Sequence, residues 1–249
     1  MLVKTEAIVL HTLKYGESKV IVDMFTKSLG RLSFVVSVPK TNKSRVKKQY
    51  FQPMTLLEIT CEVRQRVQLQ KLSDARLLIP YVSIPLSAEK LAISMFVAEF
   101  LYHGLRSEQC NEPLFDYIAD SVQWLDAAGE GFANFHLTFL MRLSRFLGFY
   151  PNLEETPEGS VAGGERLAEY FDLREGRFCS AAPLHRDFLQ PAEARLVRLL
   201  MRMDFSTMHL FQLSRHDRHR IMDVLLLYYK QHLPDFPEMK SLAVLQQLW

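Results

Sequence analysis

Five short segments of strand-like character crowd into the first seventy-odd residues, and that density does most to restrict what this chain can become. They are Val3 to Leu10, Lys19 to Thr26, Arg31 to Val38, Met54 to Val63 and Val67 to Leu72. The third shows the pattern most cleanly. Leu32, Phe34, Val36 and Val38 fall on one face and Arg31, Ser33 and Ser37 on the other, the period of two of a half-buried strand. Gly16 and Gly30 lie between the first three, where turns need a residue tolerant of positive φ. Five strands in so short a stretch predict a small barrel.

The third predicted strand runs into a loop of unusual charge. Pro39 denies a ladder its donor, and Thr41, Asn42 and Ser44 alternate with lysines that would repel one another if packed. From Lys27 to Lys48 there are seven basic residues, Lys27, Arg31, Lys40, Lys43, Arg45, Lys47 and Lys48, and no Asp or Glu occurs between Asp23 and Glu58. A strand thus delivers a cationic loop to the surface. A polyanion fits it, because each phosphate neutralised releases a condensed counterion. A solvated lysine loop is the plainer alternative. Four aromatics near the charges, Tyr15, Phe25, Tyr50 and Phe51, suit stacking on bases, although core packing is the simpler role for each singly. A small barrel with a cationic loop matches the oligonucleotide-binding (OB) fold, while the periodicity itself is shared by other small barrels.

Charge also marks a division of the chain. Residues 1–79 hold 14 Lys and Arg against 6 Asp and Glu, and the remainder holds 16 against 22, although the whole chain carries only +2. Two domains with different partners are expected, 1–79 and 80–249. After Ile79, Pro80 and Pro85 interrupt any strand and Ser87 is placed to cap a helix reaching Gly104. Further helices are expected over Pro113 to Ala128, Phe132 to Leu147, Pro191 to Met203, Ser214 to Leu233 and Ser241 to Leu248. The helical pattern stops between Pro151 and Pro183, where Pro157, Gly159, Gly163 and Gly164 make a loop and Glu169 to Phe178 resembles a hairpin turning at Glu175 and Gly176. The fold class is therefore α+β and multidomain, a five-stranded barrel followed by an all-α domain carrying a loop and hairpin insertion near 151–183.

Several function classes are disfavoured. Cys61, Cys110 and Cys179 lack metal or redox spacing, and their odd number gives no disulfide framework, which suits a reducing compartment. The first residues do not read as a signal peptide, and the longest apolar runs, such as Val224 to Tyr229, fall far short of the ~20 residues of a membrane span. A cytoplasmic location follows. His216 and His219 share a helical face but stand among Arg215, Arg218 and Arg220, which oppose a cation. Glu154 and Glu155 sit in a loop without a partner, and there is no Gly-rich phosphate loop or nucleophile context. Nothing in the chain looks catalytic.

With barrel and loop read together, the chain resembles the bacterial recombination mediator RecO family. The matching residues are Glu6 to Leu10, then Tyr15-Gly-Glu17, the strand Val20 to Thr26, and Leu29-Gly-Arg-Leu-Ser33 leading into the basic loop; Phe139 to Phe149 followed by Pro151, and Met239-Lys-Ser241 leading into Leu242 to Leu248, are similar in the helical half. The likeness runs end to end and is most specific at the amino terminus. It implies an OB barrel joined to a helical domain, in a non-enzymatic DNA repair protein located at the nucleoid. It further implies binding of single- and double-stranded DNA, annealing of complementary strands, capture of the acidic-hydrophobic tail of single-stranded-DNA-binding protein (SSB), and joint action with RecR to load RecA. Some family members carry a four-cysteine zinc site in the segment matching 151–183. Here only Cys179 occurs there, so no metal and no cofactor are expected. Two arginine-bearing segments suit a tail carboxylate beside an apolar face: Arg142 and Arg145 among Leu143, Phe146 and Leu147, and Arg215 and Arg218 leading into Ile221 and Met222. An RNA-binding barrel, or an adaptor docking a partner peptide, are the competing readings.

Overall fold

The computed structural model describes residues 2–37, 47–64, 67–106, 108–153 and 169–248. They divide into two compact units, Met1–Ala128 together with Glu238–Trp249, and Gly129–Pro237. The charge asymmetry places a boundary at residue 79, whereas in the structure the first two helices and the last one group with the barrel.

The barrel is closed, in the order β1-β2-β3-β5-β4, from β1 (Leu2–Tyr15), β2 (Lys19–Thr26), β3 (Gly30–Ser37), β4 (Leu56–Glu62) and β5 (Leu69–Leu77). β1 is long enough to serve both sides. Its first half pairs with β4 and its second with β2, and an irregularity between Val9 and His11 bends it from one to the other. β5 closes the barrel through a short parallel pairing with β3, Ser33 to Leu69 through Val35 to Lys71. Inward-facing Val20, Val22, Met24, Phe34, Val36, Leu57, Ile59 and Ala75 fill the interior. The sequence pattern ends the fifth strand at Leu72, but pairing continues to Leu77. A register shift at Thr60 and Cys61 moves the inward position onto the small Ala75, which leaves no apolar alternation to read.

Two helices belong to this unit by packing. Helix α1 (Ala88–Gly104) is capped by Ser87, whose side chain accepts from Lys90 N at 3.3 Å. It is apolar over most of its circumference, with Ile93, Phe96, Val97, Phe100 and Leu101 buried, while Leu91 and Met95 remain exposed on another face. Helix α2 (Glu112–Ala127) is capped by Asn111 and stacks Phe115 against Phe25 of β2, ring centres 6.2 Å apart. The turn before β3 must admit the connection between these helices. Gly30 has φ +70°, and a Cβ there would lie 2.5 Å from the carbonyl carbon of Gln109.

The second unit packs α3 (Phe135–Phe146), α4 (Pro191–Met201) and α5 (Arg215–His232) with a small sheet in the order β7-β6-β8, from β6 (Tyr170–Asp172), β7 (Arg177–Cys179) and β8 (Phe188–Leu189). The expected hairpin is present. Its third strand, two residues long, is too short for any periodicity to show. Tyr229 donates to Leu140 O at 2.7 Å, tying α5 to α3, and Ser214 and Asp217 form a reciprocal cap on α5.

Candidate nucleic-acid interface

The register of the barrel shows which side chains share its outer surface. Inward Val20, Val22 and Met24 alternate with outward Lys19, Ile21 and Asp23, and cross-strand pairing extends these into rows. One row is Tyr15, Lys19 and Ser37. The next is Leu13, Ile21, Val35 and Lys71, and the third is His11, Asp23, Ser33 and Leu69. In the first two rows Leu13 and Tyr15 are 55% and 52% exposed, and Ile21 and Val35 are partly exposed. Lys19 and Lys71 stand exposed at their flanks, and Glu62, which pairs with Lys71 in the β4–β5 ladder, is bound by Arg64 at 3.1 Å. The third row is polar apart from Leu69, which is 40% exposed: Asp23 accepts from Ser33 Oγ and lies 3.6 Å from His11 Nδ1.

Beyond that row the same surface is covered. Arg31, paired with Phe25 in the register, lays its guanidinium over the Tyr102 ring at 4.6 Å and donates to Tyr102 O at the end of α1. Burial lowers the Arg31 guanidinium from its ordinary value, against the pull of Asp23. His11 stacks on Tyr102 at 4.6 Å. Lys27 donates to Asp116 of α2 at 2.7 Å, which raises its pKa. Two of the seven basic residues are therefore engaged with helices, at the opposite end of β3 from the loop. Arg31 and Ser37 are six residues apart, about 20 Å along a strand.

Lys40, Lys43 and Arg45 lie outside the described residues, as does the loop bearing Pro157, Gly159, Gly163 and Gly164. Lys47 and Lys48 are exposed at the start of a 3-10 turn, Lys48–Phe51, held to β1 where Thr12 Oγ1 donates to Phe51 O at 2.8 Å. That bond lies two residues from exposed Lys14. The structure thus places Lys47 and Lys48 beside the second half of β1. Of the four aromatics, Phe25 and Phe51 are buried, Tyr50 packs against the barrel core, and Tyr15 stands open. Sequence reasoning passed over Leu13, Lys14, Lys19, Ile21, Val35 and Lys71. Their signal is weak but real: β1 and β2 carry apolar residues at outward as well as inward positions.

In the second unit the four arginines differ. Arg142 donates to Met203 O at 3.2 Å and lies 3.8 Å from Asp204, bracing the end of α4. Arg218 is half-buried and donates to Leu213 O at 2.7 Å. Arg145 is exposed, over the Tyr150 ring at 4.3 Å, and Arg215 is exposed in the first turn of α5. The apolar residues beside them, Leu143, Ile221, Met222 and Leu225, are core. Cys179 ends β7, and among the described residues no cluster of His, Cys, Asp or Glu is placed to hold a metal ion. His185 Nε2 instead meets the buried Asp172 carboxylate at 3.1 Å beside the hairpin.

A closed five-stranded barrel with an open apolar and aromatic face edged by lysines is a barrel of the oligonucleotide-binding class, here followed by a helical region. The chain belongs to the Recombination protein O family: the family's N-terminal model matches residues 1–81 and its C-terminal model residues 86–242. It is similar over its whole length to proteins named DNA repair protein RecO. Those of Phocaeicola vulgatus and Bacteroides fragilis are 47% and 46% identical over 249 and 250 residues, and that of Porphyromonas gingivalis is 34% identical over 253, each alignment covering 100% of both chains. The chain is a DNA repair protein of that family. Among the described residues no helix is long and apolar enough to cross a membrane.

Proposed function

We propose that this protein is a non-enzymatic recombination mediator, acting in the cytoplasm at the nucleoid, that holds a single DNA strand on the outer face of β1, β2 and β3. The observation that carries this reading is the pair of open rows, Tyr15, Lys19 and Ser37 beside Leu13, Ile21, Val35 and Lys71. Bases stack on aromatic and apolar surface while lysines meet the phosphates, a combination that suits unpaired strands of any sequence. A duplex offers its bases only within grooves, so it is held by charge alone, from the loop of Lys40, Lys43, Arg45, Lys47 and Lys48. Two basic surfaces on one barrel neutralise two strands together and permit complementary strands to pair. No bond is broken in this reading.

The same proposal covers the partners: the protein captures the acidic-hydrophobic tail of SSB and acts with RecR to load RecA on coated DNA. Of the four arginines that suit the tail's carboxylates, Arg145, over the Tyr150 ring, and Arg215 are exposed residues, whereas Arg142 and Arg218 are partly buried and donate to backbone carbonyls. Annealing of complementary labelled oligonucleotides tests the central part. Reversing the five loop residues to Glu should slow annealing at least tenfold with the fold intact, and DNA should outcompete RNA for the free protein. Undiminished annealing by the variant, or a preference for RNA, contradicts the proposal.

A further inference from the structure

We infer that α6 (Ser241–Leu248), last in the chain, belongs to the barrel's cooperative unit as a strap held by one carboxylate, and that residues 129–237 are an insertion within that unit with a stability of their own. The inference begins with how weak α6 is alone. Eight residues are too few for an isolated helix in water, and only Leu245 of the eight is buried. Its first turn exposes backbone N–H groups that need acceptors.

Glu99 of α1 supplies them. Its Oε1 accepts from Lys240 N at 2.9 Å and its Oε2 from Ser241 N at 2.8 Å, with Ser241 Oγ as a third donor. Burial works against ionising this carboxylate, but the hydrogen bonds from Ser241 and Lys240 outweigh it and hold its pKa below the ordinary value. A negative charge at the first turn of α6 also faces the positive end of that helix.

The point where the chain leaves the barrel unit is fixed on the same helix. Lys90, buried in α1, donates through Nζ to Asp126 O, at 3.1 Å, and to Ala128 O, at the last residues before the insertion. The Asp126 carboxylate in turn accepts from Val82, Ser83 and Ile84 N at 2.8–2.9 Å, binding the segment that leads from β5 into α1. Lys90 and Glu99 are nine residues apart, so exit and return are anchored about 14 Å apart along one helix. A chain whose two crossings are both pinned on one side permits the stretch between them to open without unfolding what pins it.

Hydrogen exchange of the full chain across a urea series, read peptide by peptide, tests this. The expected result is that 241–248 loses protection together with 88–104 and the barrel strands, and that 215–232 does so in a separate transition. Exchange of 241–248 in step with 215–232, or one transition for every peptide, overturns the inference. In Glu99→Ala, protection of 241–248 should fall about tenfold with 215–232 unchanged, the scale of a lost helix cap. Equal loss in both segments, or none in 241–248, likewise overturns it.

Discussion

At the residue scale, two basic residues that look alike in sequence have different surroundings. Arg31 and Lys19 flank the same sheet, yet Arg31 is stacked on Tyr102 and partly buried while Lys19 stands open beside Tyr15. Arg31→Ala should therefore act on stability, removing a cation–π pairing and a hydrogen bond worth roughly 1–3 kcal/mol together. Tyr15→Ala should leave stability nearly unchanged and weaken single-strand binding by about 1–3 kcal/mol, the value of a base stacked on a ring. Urea unfolding and anisotropy on the two variants separate these effects, and the reverse assignment would move the site to the helix-covered end. Gly30 is a third case. Its positive φ, with Gln109 and Cys110 backbone atoms 2.5–2.9 Å from any Cβ, makes Gly30→Ala a steric conflict between turn and helix connection. A loss of more than about 2 kcal/mol in urea unfolding is expected, and a variant as stable as the parent contradicts the close approach.

At the element scale, most of the molecule was legible. The helices among the described residues lie within a few residues of where apolar spacing places them, with Ser87 marking the start of α1 as expected, while α3 begins at Phe135, without a side-chain cap, rather than at Phe132. The second, third and fourth strands were legible from their alternation, but the first was expected to end at Leu10 and runs to Tyr15, past the irregularity at Val9 and His11 that breaks its pattern. What sequence concealed is pairing. Which outward residues share a row depends on register and on the bend in β1, and neither leaves a local trace. That is why Lys27 and Arg31 joined the basic set although helices claim them, and why Lys19 and Lys71 were passed over. Buried polar groups are similarly invisible. His136 of α3 resembles any helical histidine, but burial, reinforced by nearby Arg218 and His219, pushes its pKa from 6.5 down to about 3. The sign follows directly. The unfolded chain binds a proton near pH 6.5 that the folded one refuses until about pH 3, so this contribution is complete above about 6.5 and is lost progressively as pH falls. Thermal unfolding between pH 7.5 and 5 should show α3 and α5 weakening, and His136→Phe should flatten that dependence. An unchanged slope in the variant would assign the acid sensitivity to other groups.

At the scale of the whole molecule, the barrel's outer surface is partly covered by helices and partly open. One part is covered by α1 and α2 through Phe25, Arg31 and Lys27, which fixes the helices and engages those cations. The face of the first two rows leaves Leu13 and Tyr15 in water, with Ile21 and Val35 partly so, the kind of apolar surface that suits a docking partner. The measurement that bears most directly on this division is single-strand affinity across a salt series, by anisotropy of a labelled oligothymidine, for the parent and for a variant carrying Tyr15→Ala, Lys19→Glu and Lys71→Glu. The variant, folded as judged by circular dichroism, should bind at least tenfold more weakly, and its salt dependence should be shallower by a slope of about 0.7 for each lysine that no longer meets a phosphate. A folded variant with the parent's affinity and salt slope would contradict a strand held on the open face.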